Sequence, residues 1–209
     1  MFLIEIGFNS WYNYYRMMVI IMNIFIGCSS SEYISDKYLI DCKVFLEELF
    51  IRDNNLIFGV CSKGLMGLSH DIAIKYSRNV KGICPFIYMD QFDELNCTDE
   101  EVTDTVGERI KNIIDESDVL LFLPGGIGTM YELFTAIEWK RSYEFDKPII
   151  IYNSCGYYDK MLELLELTYN EDFALRIVSD NYYVCDIARD AIRYIESFDY
   201  CKKKVRKIN

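Results

Sequence analysis

The 209-residue chain contains only three prolines, one histidine and 11 glycines, and it has no long hydrophobic run. The low proline and glycine content excludes a collagen-like or low-complexity chain. The longest uncharged run, 17–31, is too short and too polar at its end to cross a bilayer. With 51% hydrophobic and 26% charged residues, the composition indicates one compact domain with a full hydrophobic core.

Histidine and cysteine are placed in a way that argues against a metal centre or a disulfide framework. No two of the eight cysteines lie closer than 13 positions, so the chain lacks the C-x-x-C pair typical of zinc sites. The lone His70 falls in a predicted helix and is interpreted as structural. We expect no bound metal, and cysteines that are small buried apolar residues in a reducing cytoplasm.

Positive charge is scarce, with 22 Lys and Arg against 33 Asp and Glu. Five of the basic residues crowd the last eight positions, so the rest of the chain is more acidic than the net charge of −11 suggests. This negative charge repels the phosphate backbone of a nucleic acid, and we expect neither a nucleic-acid nor a membrane partner. We interpret 199–209 as a solvated basic tail and 1–21 as an N-terminal appendage outside the core fold.

Short apolar runs alternate with longer stretches of helical periodicity, which is typical of repeated βαβ units. The sequence therefore predicts an α/β fold over 22–198, a Rossmann-like doubly wound parallel sheet flanked by helices. Strands are predicted at 19–27, 56–59, 80–84, 119–123 and 148–152. Helices are predicted at 35–53, 101–116, 129–142 and 186–198.

Ligands of such a sheet bind at the carboxyl ends of the strands, which draws attention to the loops 27–31, 59–67 and 124–129. The last of these, Pro124-Gly-Gly-Ile-Gly-Thr129, follows an apolar strand and opens a predicted helix. Its glycines let successive backbone amides turn toward one anion, and the helix dipole adds attraction. It is neither a G-x-G-x-x-G nor a Walker loop, so it predicts a site for a small phosphate.

Glu132 follows Thr129 at the spacing of a capping box, in which the two side chains would only stabilise the start of a helix near Thr129. It also falls off the apolar stripe predicted at 130, 133, 134 and 137. A carboxylate at the mouth of a phosphate-binding helix can alternatively reach the sugar attached to that phosphate. Spacing alone leaves capping and catalysis both open.

Arg109 lies on the same side as the apolar face predicted for the helix 101–116, formed by Val102, Val106, Ile110, Ile113 and Ile114. A guanidinium group next to a core needs an anionic partner or must extend to solvent. The anionic partner is either a carboxylate in a purely structural ion pair or, if the helix borders the same crevice as 124–129, a bound phosphate or Glu132.

Together these motifs resemble those of the Lonely Guy (LOG) family of Rossmann-like phosphoribohydrolases. The family pattern P-G-G-x-G-T-x-x-E is present as Pro124-Gly-Gly-Ile-Gly-Thr-Met-Tyr-Glu132. The family's G-S-S, G-L-M-G and K-P…N-x-x-G-Y-Y motifs correspond in order to 27–29, 64–67 and 147–158, and the resemblance spans about 22–198.

The resemblance implies hydrolysis of the N-glycosidic bond of a nucleoside 5′-monophosphate to a free base and ribose 5-phosphate. It implies that Glu132 and Arg109 are catalytic and that no metal or other cofactor is required. It also implies a homodimer. The substrate-binding residues that it implies are Gly27, Ser29, Gly64, Met66, Gly125, Gly126, Ile127, Gly128 and Thr129.

Among the departures from the family pattern, Ile110 replaces a lysine, and Val60 and Cys61 replace two glycines. These changes favour a second hypothesis, a nucleotide-binding sensor or carrier module that does not turn over its ligand. Lysine decarboxylase activity, with which such sequences have been labelled, is disfavoured because nothing resembles a pyridoxal phosphate lysine site.

Overall fold

The central sheet has seven parallel strands in the computed structural model, which describes residues 21–198. The strands are β1 (Asn23–Gly27), β2 (Asn55–Phe58), β3 (Val80–Pro85), β4 (Asp99–Thr103), β5 (Val119–Phe122), β6 (Ile149–Tyr152) and β7 (Tyr183–Cys185). Their order is β4-β3-β2-β1-β5-β6-β7. The predicted doubly wound parallel sheet is confirmed. The predicted tail 199–209 and almost all of the predicted appendage 1–21 lie outside the described residues.

Within residues 21–198, six helices flank the sheet: α1 (Asp36–Phe50), α2 (Gly64–Lys75), α3 (Val106–Glu116), α4 (Ile127–Arg141), α5 (Asp159–Asn170) and α6 (Ala188–Ser197). Short 3-10 segments lie at Phe86–Glu94, Ser154–Gly156 and Arg176–Asn181. Among the described helices, none is long and apolar enough to span a bilayer.

Two apolar cores lie on opposite faces of the sheet, because successive side chains of a strand point to opposite sides. Ile24 and Ile26 of β1 pack in the core that α1, α2 and α6 cover, whereas Phe25 packs with α3 and α4. The four buried side chains of β5, Val119–Phe122, likewise alternate between the two cores. Strands buried on both faces explain the continuous apolar runs of the sequence.

The order of the strands reverses between β1 and β5, which pair in register from Ile24↔Val119 to Gly27↔Phe122. Chain connections leave these two strands in opposite directions, so the loops after them diverge and leave a crevice at the carboxyl edge. The loops 27–31 and 124–129 flank this crevice, where the sequence predicts ligand binding.

The prediction of one helix over 101–116 is wrong at its start. Residues Asp99–Thr103 form the edge strand β4, and α3 begins at Val106 after the N-cap Thr105, whose side chain accepts a hydrogen bond from the Glu108 amide at 3.1 Å. Val102 is therefore a strand residue. It is half-exposed, as is Val106, while Ile110, Ile113 and Ile114 are buried as predicted.

The isolated histidine and the cysteines behave mainly as predicted. His70 is buried in α2, and its Nε2 accepts a hydrogen bond from the Asn96 amide at 3.2 Å. The cysteines within residues 21–198 are unpaired, and burial raises the pKa of the Cys42 thiol to about 12. Three cysteines are not buried as predicted, since Cys155 is exposed and Cys61 and Cys97 are partly exposed. The same part of the chain holds no group of three potential metal ligands.

Candidate functional site

A cleft of about 600 Å³ opens at the carboxyl edge of the sheet, above the point where the strand order reverses. Its size is that of a small-molecule site. Residues from all three predicted loops line it, including Ser29, Cys61, Met66 and Gly126. The crevice predicted from the loop positions is therefore present in the fold.

The loop 124–129, which we call the glycine loop, forms one wall of the cleft. Helix α4 begins at Ile127 with Gly126 as its N-cap, and no side chain caps its first amides. At Gly126 and Gly128, an added Cβ atom would meet nothing within 4 Å, so both positions face open space. An uncapped helix start that faces a cleft can accept an anionic ligand.

Gly125 has a different role, since an added Cβ atom would overlap the side chain of Thr129. Thr129 is buried and folds back over Gly125. The absence of a side chain at Gly125 therefore permits the close approach of Thr129 to the backbone of the glycine loop.

The hydroxyl groups of two tyrosines donate hydrogen bonds to backbone carbonyls in and next to the glycine loop and stabilise it. Tyr157 Oη donates a hydrogen bond to the Gly125 carbonyl at 2.5 Å, and Tyr158 Oη donates to the Leu123 carbonyl at 2.6 Å. The Ser29 amide also donates to the Pro124 carbonyl at 3.0 Å, which joins the loops after β1 and β5. Both tyrosines belong to the N-x-x-G-Y-Y motif, which by itself predicts no such role for them.

Glu132 and Arg109 meet at the floor of the cleft. Arg109 Nη1 donates to Glu132 Oε1 at 2.7 Å, and Arg109 Nε donates to the Ile83 carbonyl at 2.9 Å. The side chain of Glu132 is only 10% exposed, and that of Arg109 is 12% exposed. Of the anionic partners predicted for Arg109, Glu132 is the one that it contacts in the structure.

Of the two alternatives left open for Glu132, the capping box with Thr129 is wrong, because α4 begins at Ile127 and both residues lie inside the helix. The apolar stripe predicted at 130, 133, 134 and 137 was also displaced by one residue from the face of α4 that is buried. The buried face of α4 contains Thr129, Glu132, Leu133, Ala136, Ile137 and Lys140, whereas Phe134 is 41% exposed. An assignment based on apolar residues alone omitted the buried carboxylate.

Burial raises the pKa of the Glu132 carboxyl above its ordinary value, because the ionised form loses hydration. The positive charge of Arg109 and its hydrogen bond oppose this shift. A carboxyl group with this environment in a cleft is a candidate for proton transfer or for stabilising a cation.

Two comparisons of the sequence with known proteins give matches. The family model described as possible lysine decarboxylase matches residues 66–195. The cytokinin riboside 5′-monophosphate phosphoribohydrolase LOG3 of Arabidopsis thaliana is 30% identical over 188 residues, which cover 85% of this chain and 83% of that protein. The chain belongs to the LOG family. The probable phosphoribohydrolase LOGL6 of Oryza sativa subsp. japonica is 34% identical over 158 residues, 70% of this chain and 59% of its own length.

Solved structures support the same fold at lower identity. The Moco carrier protein from Chlamydomonas reinhardtii is similar with a TM-score of 0.62 at 17% identity, covering 85% of this chain and 96% of its own. The molybdenum cofactor binding protein from Rippkaea orientalis gives 0.63 at 18% identity, with 85% and 97% coverage.

The predicted LOG site residues occupy two positions relative to the cleft. Lining it are Ser29, Met66, Arg109, Gly126, Ile127, Gly128, Thr129 and Glu132. The other predicted residues, Gly27, Gly64 and Gly125, lie in its supporting walls. An added Cβ atom at Gly27 would lie 3.1 Å from Glu132 Oε2, and one at Gly64 would overlap the Ser31 carbonyl. Gly64 also has a left-handed φ of 62°.

The departures from the LOG glycine pattern have visible consequences. Val60 keeps a left-handed backbone, with φ of 64°, although a β-branched side chain disfavours it. Its side chain is buried against Cys84 and Phe92. Gly59 remains a glycine because the Arg109 guanidinium occupies the space that a side chain would need.

Other residues that line the cleft were missed by the sequence analysis, namely Cys28, Ser30, Ser31, Pro85, Tyr88, Gln91 and Val106. Cys28, Ser30 and Ser31 belong to a loop that was predicted, so their position could have been inferred. Tyr88 and Gln91 follow β3 in a segment that has no recognisable motif, and its acidic residues Asp90, Asp93 and Glu94 are interpreted from the sequence as solvated charge.

Proposed function

We propose that this LOG protein hydrolyses the N-glycosidic bond of a nucleoside 5′-monophosphate, releasing a free base and ribose 5-phosphate. One observation carries the proposal. A buried carboxylate, Glu132, lies at the floor of a cleft whose wall is the uncapped start of its own helix. The same helix thus presents amides for a phosphate and, further along, an anionic group for the attached sugar.

The 5′-phosphate would bind against the amides around Gly126, Ile127 and Gly128. These backbone groups carry the partial positive charge of the helix N-terminus, and no side chain covers them. A small phosphate fits this acidic protein better than a polymer would, because the attraction is local and does not depend on net charge.

Glu132 would act on the sugar. Departure of the base leaves an oxocarbenium-like carbon, which a nearby carboxylate stabilises directly or by orienting water. In the balanced reaction, the bond between C1′ and the base nitrogen breaks and its electron pair leaves with the base. The water oxygen bonds to C1′, and the proton released from water is returned to the base.

Arg109 would keep Glu132 ionised and oriented. Its hydrogen bond to Glu132 Oε1 leaves Oε2 without that partner, on the side of Gly27. The nearby positive charge offsets part of the cost of burying a carboxylate. Arg109 is therefore proposed to assist catalysis in contact with both Glu132 and the bound substrate.

A matched pair of substrates tests this function. Purified protein is incubated with AMP, with other 5′-monophosphates including isopentenyladenosine monophosphate, and with adenosine, and free base is measured by chromatography. We expect release from one or more monophosphates and much slower release from adenosine, which lacks the phosphate. Equal rates with and without the phosphate would contradict the proposed role of the glycine loop.

The second candidate function is a nucleotide-binding sensor or carrier that releases no product. Val60 and Cys61, which replace two glycines of the LOG pattern, line the cleft and favour this candidate. Saturable binding of AMP by calorimetry, without release of base from any monophosphate, would support the carrier and reject the enzyme.

A homodimer remains part of the proposal. Helix α4 carries exposed apolar side chains, with Ile127 87%, Tyr131 50% and Phe134 41% exposed, and a second subunit could cover them. Light scattering coupled to size-exclusion chromatography tests this directly. A mass of about twice 24.7 kDa is expected, and a monomer at micromolar concentration would contradict it.

A further inference from the structure

A second cleft, of about 410 Å³, lies at the amino edge of the sheet, where the parallel strands begin. It spans the starts of β1, β2, β3 and β4 and the end of α3. We call it the amino-edge groove. Its lining is mainly polar and includes Asn23, Asn55, Asn79, Lys81, Asp99 and Glu116. The proposed chemistry, at the opposite edge of the sheet, uses none of these residues.

The amino-edge groove carries an excess of negative charge. The Lys81 ammonium group contacts three carboxylates, at 3.2 Å for Asp99 Oδ2, 2.8 Å for Glu101 Oε2 and 2.7 Å for Glu116 Oε2. One ammonium group cannot neutralise three carboxylates, so negative charge remains within this group. The side chains of Asp99 and Glu116 are 62% and 38% exposed, so solvent reaches both. The charge of the groove therefore favours a cationic occupant.

Helix α6 brings the chain to this same edge. The helix follows β7 and runs antiparallel to the strands, so it ends where the strands begin. Near its end, Glu196 Oε1 forms a salt bridge with Arg52 Nε at 3.5 Å. Asn55 of the groove follows Arg52 by three residues, a separation of at most about 11 Å. The chain beyond Ser197 therefore continues from a point close to the groove.

The sequence that follows α6 is strongly basic. Within 202–207, which we call the basic segment, five of the six residues are lysine or arginine, and only Asp199 beyond Ser197 is acidic. The ten residues from Ser197 to Lys207 extend up to about 34 Å, which exceeds the two strand spacings, about 10 Å, that separate β2 from β4. The basic segment is therefore long enough to reach the carboxylates of the groove.

We propose that the basic segment binds in the amino-edge groove of its own chain, with its side chains in contact with Asp99 and Glu116. It would neutralise the acidic edge strand β4 and connect it to α6. Residues 1–20 join the chain at the same edge, but they are mostly apolar and carry only Glu5 and Arg16 as charged residues, so they match a polar, acidic groove less well. The proposal is independent of the proposed function, which concerns the opposite edge.

Two measurements on the full chain test this contact. Carbodiimide crosslinking joins carboxylates to lysine amines in direct contact, and mass spectrometry identifies the joined peptides. A mixture of isotopically light and heavy protein separates crosslinks within one chain from those between two chains. Hydrogen exchange of β4 is then compared among the wild type, a variant with Lys202, Lys203 and Lys204 replaced by glutamate, and one with the same lysines replaced by arginine. Glu163→Gln, on the exposed side of α5, is the control.

We expect crosslinks from the lysines of the basic segment to Asp99 or Glu116, formed within one chain. They should be lost at about 1 M NaCl, where charges are screened beyond about 3 Å. The glutamate variant should exchange the β4 amides about threefold faster than the wild type, the effect expected of surface ion pairs. The arginine variant keeps the charge and should retain the protection, and Glu163→Gln should match the wild type in both measurements.

Three results would overturn the proposal. One is a set of crosslinks from the basic segment that includes neither Asp99 nor Glu116. Another is exchange of the β4 amides that is the same in the glutamate variant and the wild type. The third is crosslinks to the groove that form only between two chains, which would identify a second copy of the chain as the source of the occupant.

Discussion

Arg109 of α3 donates a 2.7 Å hydrogen bond to Glu132 of α4, and this contact joins two helices that lie on the same face of the sheet. Both side chains are almost fully buried. The pair serves two purposes in the proposed account, since it keeps a carboxylate ionised at the cleft floor and fixes the two helices relative to each other. Several measurable consequences follow from this contact and from the loop beside it.

Removing Arg109 should destabilise the fold. In Arg109→Ala, Glu132 would be left as a buried group without a compensating charge, which typically costs about 3–5 kcal/mol of unfolding free energy. Chemical denaturation monitored by circular dichroism measures this loss. Lys111→Ala, on the exposed side of the same helix, is the matched control and should leave the denaturation midpoint unchanged. Equal effects of the two substitutions would show that the buried pair contributes nothing.

Glu132 should make stability depend on pH with a definite sign. The folded protein holds this proton more tightly than the unfolded chain, because burial raises the pKa of the Glu132 carboxyl above 4.5. Its contribution therefore favours folding below pH 4.5 and is lost as the pH rises through the folded-state value. Between pH 4 and 7, the wild type should lose unfolding free energy relative to Glu132→Gln. A relative gain would mean that Arg109 outweighs burial.

Alanine substitutions at neighbouring glycines should separate binding from folding. At Gly126 the added methyl group points into open space, so stability should be retained, while affinity for ribose 5-phosphate should fall about tenfold because the methyl group crowds the bound phosphate and weakens about one charge-assisted hydrogen bond. At Gly125 it would collide with Thr129, and stability should fall by about 1–3 kcal/mol. Thermal melting and calorimetry of both variants test this difference. Similar losses of stability at the two positions would contradict the described loop geometry.

The tyrosines behind the glycine loop should differ in their contributions. Tyr158→Phe leaves the Leu123 carbonyl without its buried donor and should cost about 1–2 kcal/mol of unfolding free energy. Tyr157 is 36% exposed, so water can replace its hydroxyl group at Gly125, and Tyr157→Phe should cost less. Urea denaturation of the two variants gives the comparison. A larger loss for Tyr157→Phe would be inconsistent with this interpretation.

Five of the seven strands that the structure describes, all but β4 and β7, and the glycine loop could be predicted because their signals are local. Strand β5 is a continuous apolar run, and the glycines that follow it specify a turn wherever they occur. Strand β4 was missed because it is acidic, with the sequence Asp-Glu-Glu-Val-Thr. Charged residues are typical of edge strands, and Lys81 compensates Asp99 and Glu101 there, a contact that no local pattern reveals.

The candidate site was only partly predictable for a similar reason. Glu132 and Arg109 were selected as candidates from motif and helical position. Their contact depends on the packing of α3 beside α4, which sequence spacing does not determine. The burial of Glu132 was missed because the predicted stripe counted apolar residues only, and Tyr88 and Gln91 reach the cleft only through the order of the strands.

The most direct test of the central claim is the release of adenine and ribose 5-phosphate from AMP by the wild type and by Glu132→Gln, with AMP binding measured on both proteins. The account predicts equal amounts of the two products from the wild type, and from Glu132→Gln a rate reduced at least about a hundredfold while AMP still binds. Undiminished release by a folded Glu132→Gln protein would show that the carboxylate at the cleft floor does not carry the chemistry.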